Sequence, residues 1–352
     1  MSIKCNTREK RGSSSRTRIT SSAKIPSEWN DFLCNTENKK ELFKFLSETL
    51  STERFADNKS VYATNGEKVI QIGSSTTPMT DSNHEEADTR IILHVLDALR
   101  AGSIGLIQTC DTDVVVILLA HFHNILAANQ EANIFVQFGL GKTKKMISIN
   151  SIAESIGSLK CRALPLFHSL TGCDTTSSFK YKGKRSCWKA LNISESFAQE
   201  FSKVMEHPFE ETNHLRDTAK SFVCALYTGD SKERDIDQIR MEMFFKKTRD
   251  IERIPPTENA FEHHFRRSLF QSSLWASANL PMIPEKSPLE FSWSKKSEKL
   301  EPIWTTLHLA KDALNLDIKC KCKRCDSQKC KCTVSKLKCS RLCKCSCFQT
   351  KL

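Results

Sequence analysis

The chain has 352 residues, with 53 Lys and Arg against 41 Asp and Glu and a formal net charge of +12. That length has room for a large core with a small module attached. Its longest apolar run, Val114 to Ala120, is far too short to cross a bilayer, and Met1-Ser2-Ile3-Lys4 does not open the apolar stretch that a secretory leader needs, so neither a membrane partner nor a secretory route is expected.

In chain order, residues 1–25 are basic and rich in Ser, Thr and Arg without hydrophobic periodicity, which predicts a disordered segment. Residues 26–192 carry an α/β pattern. A helix is predicted over Lys40 to Leu50, with Leu42, Phe43, Phe45, Leu46 and Leu50 on one broad face, and a short strand over Lys68 to Ile72. Glu85 to Arg100 reads as a helix striped by Ala87, Ile91, Val95 and Leu99, opened by Asp81-Ser82-Asn83 and closed by Gly102. Ile104 to Thr109 follows as a buried strand and Val114 to Leu126 as an apolar helix. Ile134 to Phe138 and Met146 to Ile149 are expected as strands, with Gly139-Leu140-Gly141-Lys142 as the turn between them, and Ser151 to Gly157 as a short helix. This alternation predicts a mostly parallel sheet with flanking helices. Residues 193–275 are expected as a helical extension. Residues 276–318, with four prolines and Trp293 and Trp304, read as an irregular connector packed on the core.

The last segment, 319–352, is the least accidental part of the chain. Nine of the sixteen cysteines stand there: Cys320, Cys322, Cys325, Cys330, Cys332, Cys339, Cys343, Cys345 and Cys347. Nine is odd, so a closed set of disulfides leaves one thiol over, and neighbouring Cys-x-Cys pairs chelate a soft metal better than they form disulfides. Two all-thiolate tetrahedral sites strand one ligand. Three Zn²⁺ sites need twelve ligand positions, which nine thiolates supply if three of them bridge. Metal would provide most of the folding energy of so apolar-poor a tail. Eleven Lys and Arg against one acid, Asp326, place ten of the chain's twelve net positive charges here. That charge suits a phosphate backbone, with Lys336, Lys338 and Arg341 as candidate contacts.

Acidic residues gather in three places. His84-Glu85-Glu86-Ala87-Asp88 lies at a predicted helix N-terminus, Asp111-Thr112-Asp113 directly follows a predicted strand, and Gly172-Cys173-Asp174 follows the apolar stretch Leu164 to Leu170. Ligands of open α/β sheets collect at the carboxyl ends of strands. Carboxylates converging there need cations, and Mg²⁺ or Mn²⁺ is the usual partner. Each segment taken singly is also explained by helix capping or a structural turn.

Two resemblances add to these readings. The order Glu86-x-Asp88, Asp111-x-Asp113, Gly172-x-Asp174 resembles the flap-endonuclease-like PIN nucleases over about residues 84–192, with Asp88 where that family has Glu. The resemblance implies a metal-dependent nuclease in which Asp111, Asp113 and Asp174 hold one ion and Glu86 and Asp88 a second, with water attacking a phosphodiester. Lys182-Gly183-Lys184-Arg185 resembles the start of that family's duplex-gripping helical clamp, making Lys182, Lys184 and Arg185 candidate nucleic-acid contacts. Lys4 to Arg18 is similar to its arch region, so its leading strands and further acids would precede Met1, as in a chain shortened at its N-terminus. The tail resembles the CXC module of tesmin/TSO1-like proteins, which binds DNA through three zinc ions and nine cysteines. It departs from that module at Cys322-x2-Cys325 and Cys345-x-Cys347, and has Lys329 where an aromatic is usual. The chain as a whole is similar to a group of repetitive animal proteins whose copy number implies mobile-element origin. They share His-Glu-Glu-Ala-Asp-Thr-Arg, Asp-Thr-Asp-Val and Leu-Pro-x-Phe-His-x-x-Thr-Gly-Cys-Asp-Thr, here at 84–90, 111–114 and 164–175.

The expected protein is therefore a nuclear, DNA-binding, structure-specific nuclease with a zinc-thiolate tether. A non-cleaving DNA- or chromatin-binding protein and a metal-storing tail remain the alternatives. His121, His123, His263 and His264 are expected on helix surfaces, and Cys110, Cys161, Cys173, Cys187 and Cys224 as buried thiols.

Overall fold

The computed structural model describes residues 15–56, 59–73, 79–232, 235–245, 251–297, 299–307, 320–322, 330–334, 339 and 343–345. The contacts divide the chain into two units, Met1–Thr305 and Thr306–Leu352.

Among the described residues the first unit opens with two helices, α1 (Trp29–Cys34) and α2 (Thr36–Leu50), the second capped by Asn35, whose side chain accepts from the backbone of Glu37 and Asn38. The periodic face expected on α2 is not core: Phe43 is 67% and Leu46 47% exposed, whereas Asn38 and Ser47 are buried. Ser47 instead bonds the carbonyl of Thr64 in the following hairpin. That hairpin pairs β1 (Ser60–Asn65) with β2 (Lys68–Gly73) in antiparallel register, so the strand expected at 68–72 belongs to a ribbon of its own and not to the main sheet.

Helix α3 (Ala87–Ala101) starts some residues later than Asp81-Ser82-Asn83 suggested. Those polar groups are used elsewhere. Asn83 exchanges hydrogen bonds with the backbone of Ile283, and the His84 ring meets the Leu280 carbonyl at 2.7 Å. Burial of His84 lowers its pKa. Arg90, on the first turns of α3, bonds the carbonyls of Gly66, Glu67 and Lys68 and so clamps the β1–β2 turn.

The main sheet has the order β3–β4–β5, formed by β3 (Ile104–Thr109), β4 (Asn133–Phe138) and β5 (Lys145–Ser148). Strands β3 and β4 are parallel, joined by α4 (Thr112–Ala120) and α5 (Phe122–Ala128), whereas β4 and β5 are antiparallel. The predicted mostly parallel sheet is thus one parallel pair and one antiparallel pair among the described residues. A buried strand at 104–109 is likewise not found: Ile104 and Leu106 are 73% and 62% exposed, while Ile107 turns into the core. The uninterrupted apolar run conceals a strand at the sheet's edge with only one covered face. The apolar run 114–126 breaks at His121, which closes α4 and opens α5 (φ −94°, ψ 6°) and whose fully buried imidazole meets the Trp275 carbonyl at 2.8 Å.

Beyond the sheet come α6 (Ile149–Ile156), α7 (Ser158–Leu170), α8 (Lys184–Leu191), α9 (Glu195–Ser202), α10 (Asn213–Thr228), α11 (Ile236–Phe245) and α12 (Glu258–Ala276). One hydrophobic cluster runs from Ile92 to Trp293. It includes Val114, Ile117 and Leu118 of α4, Ile134 and Val136 of β4, Leu166 and Leu170 of α7, Phe222 of α10 and Phe261, Phe265 and Trp275 of α12. Helices α4, α9 and α12 all pack on α7, which makes α7 the spine of the unit. The segment expected as an irregular connector contains an antiparallel hairpin, β6 (Trp293–Lys296) with β7 (Lys299–Pro302), and Phe291 and Trp293 enter the same core.

Among the described residues no helix is long and apolar enough to cross a membrane.

Candidate metal centres

The acidic centre is built at two helix N-termini. Asp88 sits in the first turn of α3, Asp111 is the N-cap of α4 and Asp113 lies in its first turn. The Asp111 side chain accepts from the Asp113 amide at 2.9 Å, and Thr109 Oγ1 accepts from the Asp111 amide at 3.0 Å, so the turn after β3 is held from both sides. One carboxylate oxygen from each of Asp88, Asp111 and Asp113 lies within 4.8 Å of the others. Two helix dipoles offset part of the mutual repulsion. Asp113 is 4% exposed, and His168 Nε2 of α7 stands 3.1 Å from its Oδ1.

Nothing in the local sequence assigns His168 to this site. The only signal was its place in Leu164-Pro165-Leu166-Phe167-His168, just before Thr171-Gly172-Cys173-Asp174. Lys184 was also expected elsewhere, on a clamp. Its ammonium instead donates to the His168 carbonyl at 2.7 Å and to Thr171 Oγ1 at 2.8 Å. Desolvation there pulls its pKa down to about 8, against the opposing pull of Cys173, Cys187 and Asp113. Lys182 donates to the Leu226 carbonyl at 3.0 Å and lies over the Tyr227 ring, while Arg185 is exposed.

The other two predicted acids are not among the three. Glu86 lines a separate cleft with Asn83 and Gln271. Asp174 is exposed in the turn that ends α7, a helix where the α/β pattern led us to expect a strand's carboxyl end. Gly172 fixes that turn: its φ is +105°, and a Cβ there would come within 2.8 Å of Ser178 Cα. Cys173 Sγ contacts Thr175 Oγ1 and Thr176 Oγ1 at 3.3 and 3.1 Å, and burial raises its pKa, the opposite of an activated thiol.

Three carboxylate oxygens at this separation suit a hard cation. Oxygen ligands lie about 2.0–2.6 Å from Mg²⁺ or Ca²⁺, so two of them on opposite sides of the ion are at most about 5 Å apart.

The second unit holds the thiolate centre. Cys320, Cys339, Cys343 and Cys345 form one group of four sulfurs within 4.8 Å of one another, and Cys320, Cys330, Cys332 and Cys339 form another. The two groups share Cys320 and Cys339, whose sulfurs are 3.8 Å apart. Cys320 to Cys345 and Cys332 to Cys343 are both 3.5 Å. A disulfide would bring such atoms to about 2.05 Å. Around Zn²⁺, with Zn–S of about 2.3 Å, the edge of a thiolate tetrahedron is about 3.8 Å. A metal such as zinc therefore fits this cluster. Cys322 packs against it. Cys325, Cys347, Lys336, Lys338 and Arg341 lie outside the described residues, as do residues 1–14 of the basic N-terminal segment.

Two expected surface histidines are interior. His121 and His264 are both buried, each ring meeting a main-chain carbonyl (Trp275 and Leu170), and desolvation lowers each pKa to about 4. Cys110, expected inside, is exposed, whereas Cys161, Cys187 and Cys224 are buried.

No family model matches this chain, and neither a curated protein nor a solved structure matches it.

Proposed function

We propose that the chain is a metal-dependent phosphodiesterase acting on nucleic acid, with its zinc-thiolate tail as a DNA contact. The convergence of Asp88, Asp111 and Asp113 carries the proposal. These three residues would hold a single Mg²⁺ or Mn²⁺. When bound, that ion supplies Lewis-acid stabilisation of charge on a phosphate. Asp111 and Asp113 are positioned for this by the turn after β3. His168 orients the Asp113 carboxylate and can hold a proton at Nε2. The absence of Glu86 and Asp174 from the group favours one ion over the two that the nuclease resemblance implied. In the tail, two thiolate groups with a common edge support a multinuclear zinc cluster, and three ions with nine cysteines is the stoichiometry proposed. The eleven Lys and Arg of 319–352 supply the attraction for a polyanion.

A specific observation also favours the non-cleaving alternative. Asp111 caps α4 and Asp113 is paired with His168, so both acids have structural work without a metal.

Cleavage of a branched DNA substrate in Mn²⁺, comparing the chain with Asp113→Asn, separates the two readings. Activity lost in the variant supports the phosphodiesterase. No cleavage by either protein, with salt-sensitive DNA binding retained, leaves a binding protein whose function lies in the tail.

A further inference from the structure

The acid that leaves the predicted catalytic group, Glu86, belongs to a cleft of ≈ 820 Å³ in the first unit. Among the described residues, Glu67, Glu85, Glu86, Glu285 and Glu290 line it against one lysine, Lys286. Arg90 lies near enough to act on Glu67, but its guanidinium is bound to the carbonyls of the β1–β2 turn. Phe270, Leu274, Ile283 and Leu300 give it an apolar wall beside the polar Asn83, Thr89, Gln271 and Ser287.

One buried amide at this cleft is only half satisfied among the described residues. Gln271 is 2% exposed; its Oε1 accepts from Thr175 Oγ1 at 2.7 Å, and its Nε2 makes no hydrogen bond among the described residues. A buried donor without an acceptor is costly, so the group calls for a ligand oxygen. If the amide is turned over, the remaining polar atom calls for an N–H instead. A peptide bond offers both.

We propose that this cleft binds a lysine- or arginine-bearing peptide segment of a partner protein. The cationic heads meet the glutamates, their aliphatic stems lie along the apolar wall, and the peptide backbone satisfies Gln271. Other ligand classes fit less well. Five carboxylates repel phosphate, which turns away nucleic acid. None of the five glutamates belongs to a group converging at metal-binding distance among the described residues, which disfavours a bound ion. A polyamine matches the charge but brings no carbonyl to Gln271.

The test uses the full zinc-loaded chain and fluorescence anisotropy with a short fluorescein-labelled peptide of alternating arginine and alanine. Glu285 and Glu290 are exposed, so Glu285→Lys with Glu290→Lys reverses rim charge without touching the core. The double variant should weaken the peptide at least about tenfold at low salt, with an unchanged melting midpoint. Gln271→Met should weaken the peptide and leave spermine binding as it was. Asp113→Asn should leave the peptide bound, which keeps this result independent of the acidic metal centre. No binding by the unmodified chain, equal binding by the charge-reversed variant, or displacement by spermine at equal affinity would each overturn the proposal.

Discussion

The shared edge of the two thiolate groups makes an unequal prediction for cysteines that look alike in sequence. Among the described residues Cys320 and Cys339 belong to both groups, whereas Cys330, Cys332, Cys343 and Cys345 belong to one each. Structural zinc in small modules is worth about 10–16 kcal/mol in apparent binding free energy at neutral pH, so each of four thiolates accounts for roughly 3 kcal/mol, about a hundredfold in affinity. Serine, with a hard and poorly acidic oxygen, recovers little of that. Cys345→Ser should therefore weaken one site about a hundredfold, and Cys320→Ser should weaken two sites by about as much each. Competition with a chromophoric chelator, read beside native mass spectrometry of the full chain, counts the weakened sites. If Cys320→Ser and Cys345→Ser weaken the same number of sites, the shared-edge geometry is wrong. If the unmodified tail takes up no zinc, the thiolate reading fails entirely.

Two further outcomes follow from buried groups in the first unit. His121 and His264 have folded pKa values of about 4 against an ordinary 6.5, so both are neutral in the fold and bind protons first in the unfolded chain. Their contribution is complete above pH 6.5 and declines as pH falls towards 4; by pH 5 the loss is about 2 kcal/mol for each. Urea unfolding between pH 7 and pH 5 should show this decline, and His264→Gln should make it shallower; an unchanged slope would contradict the burial argument. Arg90→Met should release the β1–β2 turn by removing its three carbonyl contacts, so limited proteolysis should cut within 60–73 much faster than in the unmodified chain while the main core keeps its melting midpoint.

The parts of the fold legible in the sequence were those set by local pattern. The stripe from Ile91 to Leu99 and the Gly102 stop define α3, and the turn at 139–142 separates β4 from β5. Partner choice was not legible. Nothing local says that β5 runs antiparallel to β4, that the strand at 68–73 pairs with β1, or that Ile104 and Leu106 face outwards. The acidic site was half legible. Asp111 and Asp113 are two residues apart at the end of a strand, and Asp88 opens the neighbouring helix, so adjacent elements bring the three together. Glu86 lies two residues before Asp88, but where it sits relative to the helix start decides its direction. With α3 beginning at Ala87, Glu86 is the cap residue in extended backbone, and its side chain lines the cleft.

His168 and Gln271 were hidden for a related reason. Each acts across a large gap in sequence: His168 reaches Asp113 over 55 positions, and Gln271 reaches Thr175 over 96. Both gaps are closed by α7, which packs against α4 on one side and α12 on another. Helix α7 carries His168 to the acids, and the turn just beyond it carries Thr175 to Gln271. A change in the packing of α7 should therefore disturb the metal centre and the peptide cleft together, although the two share no lining residue. Leu166, fully buried on α7 and remote in chemistry from both, provides the case. Leu166→Ala removes about 2–5 kcal/mol of packing, and it should weaken Mn²⁺ binding and peptide binding in the same variant at temperatures where the fold persists. Loss of one without the other would show that the two sites are held by separate parts of the core.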